Sequence, residues 1–292
     1  GSYHYKKTID DLYSFNANRF TGDLADNGLL NQLNPNFDNI GILSNLGRRR
    51  YHGLVAGVSK RFSRGWQLSA SYTYNNGWNN FANSQADDYS SAATNAYDPS
   101  VDWARDDIAH VFHVHSTWEL PILRGRPGWL GGVFGGWQFN TIWNLQSGQL
   151  FTPISYGGFG EGGDFNADGQ RGERPDRPTG NIAHSFSTAD WLRGVMSASL
   201  FPLPDSVRAG NLPRDFFRGP GYARVDAAFV KSFPIPIGRS EKANLQLRAE
   251  AFNLFNRINL SSLSNSLDAS NFGQATGAYQ MRISQLSLKF IF

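Results

Sequence analysis

Three oxygen-bearing residues at alternate positions could hold a calcium ion: Asp164, Asn166 and Asp168. They match the first, third and fifth positions of a calcium-binding loop, and Gly169 supplies the sharp turn that such loops need. The twelfth position holds Pro175 where a bidentate glutamate is required, although Glu173 and Asp176 lie close by. We therefore weigh a Ca²⁺ site in the segment 164–176 against a polar turn that needs no metal, and the missing ligand favours the turn.

Histidines near residue 110 are the second group that could do chemistry: His110, His113 and His115. His113 and His115 share one face of a predicted strand, and two histidines at this spacing can bind a transition metal. Without a third ligand, a polar sheet surface is the simpler interpretation. We find no nucleophile beside a plausible base, no phosphate-binding loop and no paired catalytic carboxylates, and the sequence predicts that the protein is not an enzyme.

Composition narrows the class of protein. The 292 residues are 40% hydrophobic and 17% charged, and the chain has no cysteine, which excludes disulfides and thiolate chemistry. The mean hydropathy is −0.42 and no apolar run approaches the ~18 residues of a transmembrane helix, but a membrane barrel needs no such run. A net charge of +3, scattered along the chain, predicts no nucleic-acid partner. No export signal is visible and the chain begins at Gly1, so we expect a piece of a longer protein.

The candidate metal-binding residues must be held in place by β-strands, which the sequence reveals as alternating segments. Seven segments alternate between apolar and polar residues: 51–62, 66–75, 109–120, 133–146, 222–233, 242–251 and 280–292. Residues 1–6 are a possible eighth strand. In the clearest of them, Trp66, Leu68 and Tyr72 alternate with Gln67 and Ser69. Each segment is about as long as the 9–11 residues that a tilted strand needs to cross a bilayer.

The connections alternate in length. A tight turn at 63–65 and Pro/Gly-rich links at 121–132 and 234–241 alternate with long connections at 76–108, 147–221 and 256–279. Membrane barrels have short turns at the periplasmic rim and long loops outside the cell. The sequence therefore predicts an all-β fold, an antiparallel up-and-down transmembrane β-barrel segment of about seven to eight meander strands. Taken alone, it should form an open antiparallel sheet unless it curls into a small barrel.

The inward-facing side of these strands should be a polar lumen wall, for which we name five candidates: Gln67, Asn140, Gln246, Arg248 and Glu250. Arg248 and Glu250 are predicted to form a charge pair. The last strand ends the chain on an aromatic residue, with Gln285, Phe290 and Phe292 at the positions of a barrel-assembly signal and Ser287 where glycine is usual. We therefore expect the barrel-assembly machinery and outer-membrane lipid as partners, in the bacterial outer membrane.

An ordered set of motifs resembles the TonB-dependent receptors, and within them the Oar-like group with an N-terminal carboxypeptidase-regulatory-like domain, common in acidobacteria. The motifs cover about 45–292 and include Lys60-Arg-Phe, Arg105-Asp-Asp-Ile-Ala-His, Gly136-Trp-Gln-Phe, Arg218-Gly-Pro-Gly with Asp226 and Lys231-Ser-Phe-Pro, Leu247-Arg-Ala-Glu-Ala-Phe-Asn-Leu-Phe-Asn256 and Asn271-Phe-Gly-Gln. The resemblance implies a 22-stranded barrel around a plug, of which residues 1–292 are the C-terminal part. The plug, the TonB box and the earlier strands are absent from this sequence.

The resemblance implies active uptake of a substrate, driven by the TonB energy-transducing complex through the missing N-terminal region. The substrate is not readable, and siderophores, peptides and glycans all fit. Two alternatives stay open: a small passive outer-membrane barrel or porin, and a structural or adhesive surface protein that acts through its long loops. No cofactor is expected beyond the Ca²⁺ considered above.

Overall fold

A computed structural model describes residues 1–18, 33–37, 40–80, 103–105, 108–157, 163, 165, 172–180, 182–183, 186–205, 208–237 and 241–291. The strands, in chain order, are β1 Ser2–Asn16, β2 Gly41–Ser63, β3 Trp66–Asn79, β4 Ala104–Arg105, β5 His110–Glu119, β6 Gln138–Gln146, β7 Leu150–Phe151, β8 Phe217–Arg218, β9 Tyr222–Ile237, β10 Glu241–Phe252, β11 Leu260–Leu263, β12 Ala275–Ala278 and β13 Ile283–Ile291. Two short α-helices, α1 Trp129–Phe134 and α2 Thr188–Arg193, and a 3₁₀ turn at Ala198–Leu200 complete the elements.

One antiparallel sheet organises the chain. Its strands pair in the order β1-β2-β3-β5-β6-β9-β10-β13, with the short β4 added beside the end of β3. Apart from short strands within the connections, each strand pairs with its predecessor and successor in the chain, which confirms the predicted meander. β1 and β13 are the two edges, so the sheet is open, as predicted for the isolated chain.

Register divides the sheet into two chemically different faces, because residues directly opposite each other on antiparallel strands point to the same side. One row of partners reads Tyr72, Phe112, Leu145 and Ala223, from β3 to β9. The adjacent row reads Ser71, His113, Asn144 and Arg224. We call these sides the apolar face and the polar face.

The two ends of the sheet also differ. β2 and β3 are joined by a two-residue hairpin in which Arg64 and Gly65 both have positive φ, at 53° and 81°, as a tight hairpin turn that matches strand twist requires. β5 and β6, and β9 and β10, are also connected at this same end, which we call the short-turn end. β1 and β2, β3 and β5, β6 and β9, and β10 and β13 are connected at the opposite, long-loop end.

Several of the predicted boundaries are wrong, and β9 runs on to Ile237 through residues that the sequence predicted as a link. The strand expected at 133–146 begins only at Gln138, because glycines on both sides of α1 break the extended run and 129–134 turns into a helix. The link between β5 and β6 is therefore 120–137, longer than the other two links at that end. β1 and β2 also extend well beyond the predicted segments 1–6 and 51–62, to Asn16 and back to Gly41.

The long connections build a folded layer at the long-loop end. The described residues of 147–221 and 253–282, which we call the loop cap, share a hydrophobic core of buried side chains that includes Phe201, Leu212, Phe217, Leu267 and Phe272. A parallel bridge between Ile154 and Ser266 and the pairing of β11 with β12 add backbone order. The cap is tied to the sheet by Arg214, whose guanidinium donates to the side-chain oxygen of Asn79 at 2.9 Å.

In the part of the chain that the structure describes, no helix has both the length and the apolar character needed to cross a membrane.

Candidate functional site

The polar face forms a continuous wall across six strands. One row of directly opposed residues runs through all six strands: Gln67, Thr117, Asn140, Ala228, Glu250 and Gln285. Gln67, Asn140 and Glu250 are predicted lumen residues, and Gln285 belongs to the predicted assembly signal. Within it, Thr117 Oγ1 donates to Asn140 Oδ1 at 2.8 Å. Gln246 and Arg248 lie on the same face in neighbouring rows. The structure therefore brings the five predicted wall residues onto one side of the sheet.

A charged cluster lies on this wall near the edge strand β13. Arg248 Nη2 donates to Glu250 Oε1 at 2.6 Å, as the sequence predicted for this pair, and Gln285 Nε2 donates to the other carboxylate oxygen at 2.7 Å. The Arg248 side chain keeps 39% of its surface exposed and the Glu250 side chain 14%. The carboxylate is thus held between two donors from adjacent strands, whereas the guanidinium still faces the space beside the wall.

A second cluster ends the wall where β10 leaves the sheet. Asp226 on β9 accepts from Arg224 Nε at 2.7 Å and from the backbone N–H of Asn253 at 2.8 Å. Asn253 is buried in the left-handed conformation with φ of 54°. Its amide closes a turn by donating to the Arg257 carbonyl at 2.9 Å and accepting from the Arg257 N–H at 3.0 Å.

These contacts give a physical meaning to the Arg-x-Glu-x-Phe-Asn-Leu-Phe-Asn motif. Arg248 and Glu250 belong to the wall, while Asn253 and Asn256 occupy left-handed positions of the turn, with φ of 54° and 51°. Asparagine tolerates this region better than other residues with a side chain. Sequence analysis missed the role of the two asparagines, although their spacing of three residues just after an alternating strand is a usable turn signal.

The apolar face is uncovered in the structure. Large apolar side chains stand exposed across its whole width, with Leu286 at 72% and Leu288 at 65% on β13 and Val58 at 61% on β2. Aromatic side chains lie at its short-turn end, where Trp66 is directly opposite Trp118. An apolar surface of this extent has to be covered, and lipid covers such a face in membrane barrels.

Comparison with protein families agrees with this two-faced sheet. A family model described as an outer membrane beta barrel domain matches residues 3–285. The chain belongs to this family. Its members reside in the bacterial outer membrane and are generally not enzymes. Neither the search of curated proteins nor the search of solved structures found a match.

Membership in the barrel family fixes the surroundings of the two faces. The apolar face meets lipid, the polar face is the inner side of the barrel wall, and the long loops are extracellular in barrels of this kind. The pairs Arg248–Glu250 and Arg224–Asp226 belong to the inner side. Some apolar residues also lie on the inner side; Ile142 and Val230, for example, are opposite Asp226 and Arg248 respectively.

The calcium prediction falls on residues outside those the structure describes, since Asp164, Asn166 and Asp168 all lie there. Of the two nearby carboxylates, Asp176 is engaged by Arg208, whose Nη1 donates to Asp176 Oδ1 at 2.7 Å. This guanidinium holds the pKa of the Asp176 carboxyl below its usual range. Glu173 is buried and its carbonyl accepts from the Ser155 N–H. The Ca²⁺ site stays a prediction.

The three histidines do not come together as a metal site. His113 and His115 share the inner side, where His113 Nδ1 lies 2.7 Å from Asn144 Oδ1. His110 lies on the apolar face against Tyr72, whose hydroxyl is 2.8 Å from His110 Nδ1. Among the residues described, no group of three His, Asp or Glu side chains could hold a metal.

The predicted assembly signal is divided between the two faces of β13. Gln285 lies on the inner side and Phe290 on the apolar face, where its side chain is 50% exposed opposite Leu245. Phe292 lies beyond the described residues. The edge strand thus presents a polar and an apolar half of the signal, whose use in assembly stays a prediction.

Proposed function

We propose that this chain is the C-terminal part of the barrel of a TonB-dependent outer-membrane transporter, and that the barrel is completed by strands outside residues 1–292. Substrate would bind to the extracellular loops and to a plug, and energy from the TonB complex would open a path along the polar inner wall. The substrate class stays open among siderophores, peptides and glycans.

The polar character of the inner wall is the observation that carries the proposal. An eight-stranded barrel leaves an interior that its own side chains fill. The inner wall here instead carries polar and charged side chains across the strands, among them Gln67, Asn140, Gln246, Arg248 and Glu250. Such side chains suit a wide, wet lumen that holds another domain or water better than a narrow barrel with a packed core.

The open edges support the same proposal. β1 and β13 are not paired with each other, and each presents unpaired backbone groups along one side. Unpaired strand edges are not tolerated in lipid, because each unsatisfied backbone group costs several kcal/mol there. Additional strands between β13 and β1 would close the barrel and widen it at the same time.

The motif that resembles TonB-dependent receptors adds support from chemistry. Its charged residues, Arg248 and Glu250, stand on the inner wall, and its asparagines build the turn that leads into an extracellular loop. A mobile plug inside the barrel would need a hydrated, hydrogen-bonding wall of this type, because polar contacts can be exchanged with water at little cost.

Conductance of the intact protein tests the proposal. We expect the purified full-length protein to give no steady conductance in a planar bilayer, because a plug fills the lumen, and removal of the predicted plug domain to open a stable conductance. A steady open conductance from the intact protein would support a passive pore and overturn the proposal.

An adhesive function is the second candidate, and the folded loop cap favours it. Long loops with their own buried core present a fixed surface to the outside, as a binding protein requires. Attachment of cells to the ligand would then persist when the membrane is de-energised, and no ligand would enter the cell. Uptake that stops on de-energising would reject this candidate.

A further inference from the structure

Two positively charged side chains lie side by side on the apolar face near the long-loop end. Lys7 on β1 is directly opposite Arg50 on β2, so the two cations point to the same side. Like charges placed directly opposite each other destabilise a sheet. Nearby acidic residues do not neutralise them: Asp11 is paired with Arg49 at 3.0 Å, and neither Lys7 nor Arg50 has a carboxylate partner among the described residues.

The two cations lie at the height of the extracellular membrane interface. On β2 the apolar face carries His52, Leu54, Ala56 and Val58 between Arg50 and Lys60. Arg50 and Lys60 are ten residues apart, which at ~3.3 Å per residue and a tilt of about 40° is a height of about 25 Å. This equals the apolar band of an outer-membrane barrel. Lys60 therefore marks the periplasmic interface and Arg50 the extracellular one.

Aromatic side chains surround the two cations and form an open cleft of about 540 Å³ lined by Tyr3, Tyr5, Lys7, Arg50 and His52. The Tyr3 hydroxyl is 2.6 Å from His52 Nδ1, and the Tyr5 ring packs against the same imidazole at 4.9 Å between centroids. These contacts hold Tyr3, Tyr5 and His52 against one another, and the two cations lie beside them on the side of the long-loop end.

Tryptophan side chains on the β3 side of the cleft also position Arg50. Its guanidinium carbon lies 4.7 Å from the centre of the Trp103 ring, and Trp78 is its direct partner on β3. An arginine stacked on an aromatic ring keeps its planar group of N–H donors available at the edge. Such an edge binds phosphate oxygens in pairs.

We infer that the cleft formed by Tyr3, Tyr5, Lys7, Arg50 and His52 binds a phosphorylated glycolipid of the outer leaflet. The phosphate on the sugar headgroup lies between Lys7 and Arg50, the sugar rests on the tyrosine rings, and the acyl chains descend along the apolar band toward Leu54. A phosphate dianion neutralises the opposed cations, and lipid is the source of phosphate at this height on the outer surface of a barrel.

The test compares the full-length protein, extracted in a mild detergent, with variants in native mass spectrometry. The probes are bisphosphorylated lipid A, the same lipid A with its phosphates removed, and inorganic phosphate. The principal variant is the double substitution Lys7→Gln with Arg50→Gln. Lys60→Gln is the matched control, because it removes one cation from the same face of the same strand at the opposite interface.

Each cation near an anionic lipid surface contributes about fivefold to affinity, so the double variant should bind bisphosphorylated lipid A at least ~20-fold more weakly than wild type. Lys60→Gln should bind it as wild type does, and dephosphorylated lipid A should bind wild type weakly. Arg50→Lys, which keeps the charge and loses the paired donors, should fall between wild type and Arg50→Gln.

Three results would overturn the inference. The first is a double variant, shown to be folded by its heat-dependent shift in gel mobility, that binds the bisphosphorylated lipid as wild type does. The second is an equal loss of binding in Lys60→Gln, which would mean attraction to charge anywhere on the barrel. The third is full displacement of the lipid by inorganic phosphate at equal concentration, which would identify free phosphate as the ligand.

Discussion

Replacement of Asn253 by alanine should weaken the barrel at the turn after β10. Asn253 is 2% exposed and has φ of 54°, a conformation that costs an alanine about 1–2 kcal/mol more than it costs a glycine. Its side chain also makes the hydrogen bonds of 2.9 and 3.0 Å with the Arg257 backbone, each contributing about 1 kcal/mol net. We expect Asn253→Ala to lower the free energy of unfolding by about 3–4 kcal/mol.

Glycine at the same position separates the two contributions. Asn253→Gly loses the same hydrogen bonds and keeps access to the left-handed conformation, so it should cost about 2 kcal/mol. Asn256→Gly is the matched control, because Asn256 also has positive φ, at 51°, but is exposed and accepts only one hydrogen bond, from the Arg282 N–H at 3.1 Å. It should change stability by less than about 1 kcal/mol.

Equilibrium unfolding in urea, followed by tryptophan fluorescence of the full-length protein in phospholipid vesicles, measures these differences. The order expected is Asn256→Gly, then Asn253→Gly, then Asn253→Ala, from least to most destabilised. Equal losses for the alanine and glycine variants would refute the role of the left-handed backbone. Losses below about 1 kcal/mol for both would refute the structural role of the amide.

Other perturbations test the faces, the terminus and the loop cap. Phe292→Ala should reduce the amount of heat-modifiable, protease-protected protein in the outer membrane, and an unchanged amount would count against the assembly signal. In the cysteine-free chain, Asn140→Cys should react with a charged maleimide admitted to the lumen, whereas Val114→Cys should react only with a lipid-soluble reagent; the reverse result would contradict the assignment of faces. Because Arg208 lowers the pKa of Asp176 below the ordinary 3.8, the pair stabilises the loop cap above about pH 4 and loses that contribution as the pH falls through the folded pKa. Asp176→Asn should therefore be less stable than wild type at pH 6, by no more than about 1 kcal/mol for a partly exposed pair, and the difference measured in urea should shrink as the pH falls below 4.

Much of the sheet was predictable because period-two alternation is a local property of the chain. The segments 66–75 and 242–251 alternate cleanly and lie within β3 and β10. The alternation reports the chemical difference between lipid and lumen, which acts on every residue that crosses the bilayer. It weakens outside the bilayer, and this explains why the first part of β2, Gly-Ile-Leu-Ser-Asn-Leu-Gly-Arg-Arg-Arg, was not predicted as strand.

The loop cap could not be predicted in the same way. Its core residues are far apart in the sequence, and Phe201, Leu212 and Phe272 belong to no periodic segment. Strands such as β7 and β8 have two residues each and exist only because the fold brings them together. The opposed cations Lys7 and Arg50 were likewise invisible, since their proximity depends on the register between β1 and β2 rather than on either segment alone.

Buried asparagines lie where the regular strands of the sheet meet the long connections. Four asparagines near the long-loop end of the sheet are at most 2% exposed: Asn18, Asn80, Asn253 and Asn259. Asn259 donates to the carbonyl of Ala223 and accepts from its N–H, at 2.9 and 2.8 Å, as a neighbouring strand would. Asn80 accepts from the Arg48 N–H at 2.7 Å and donates to the Leu46 carbonyl at 3.2 Å.

An asparagine amide has the same donor and acceptor as a peptide group, so it can pair with the last backbone groups of a strand when no neighbouring strand reaches them. Without such a partner these backbone groups would lose a hydrogen bond, and a group that is both buried and unsatisfied costs about 1–3 kcal/mol. Aspartate would lack the donor and alanine would lack both groups. Asn80 and Asn259 therefore complete the hydrogen bonding of β2 and β9 where these strands extend beyond a neighbour toward the long loops.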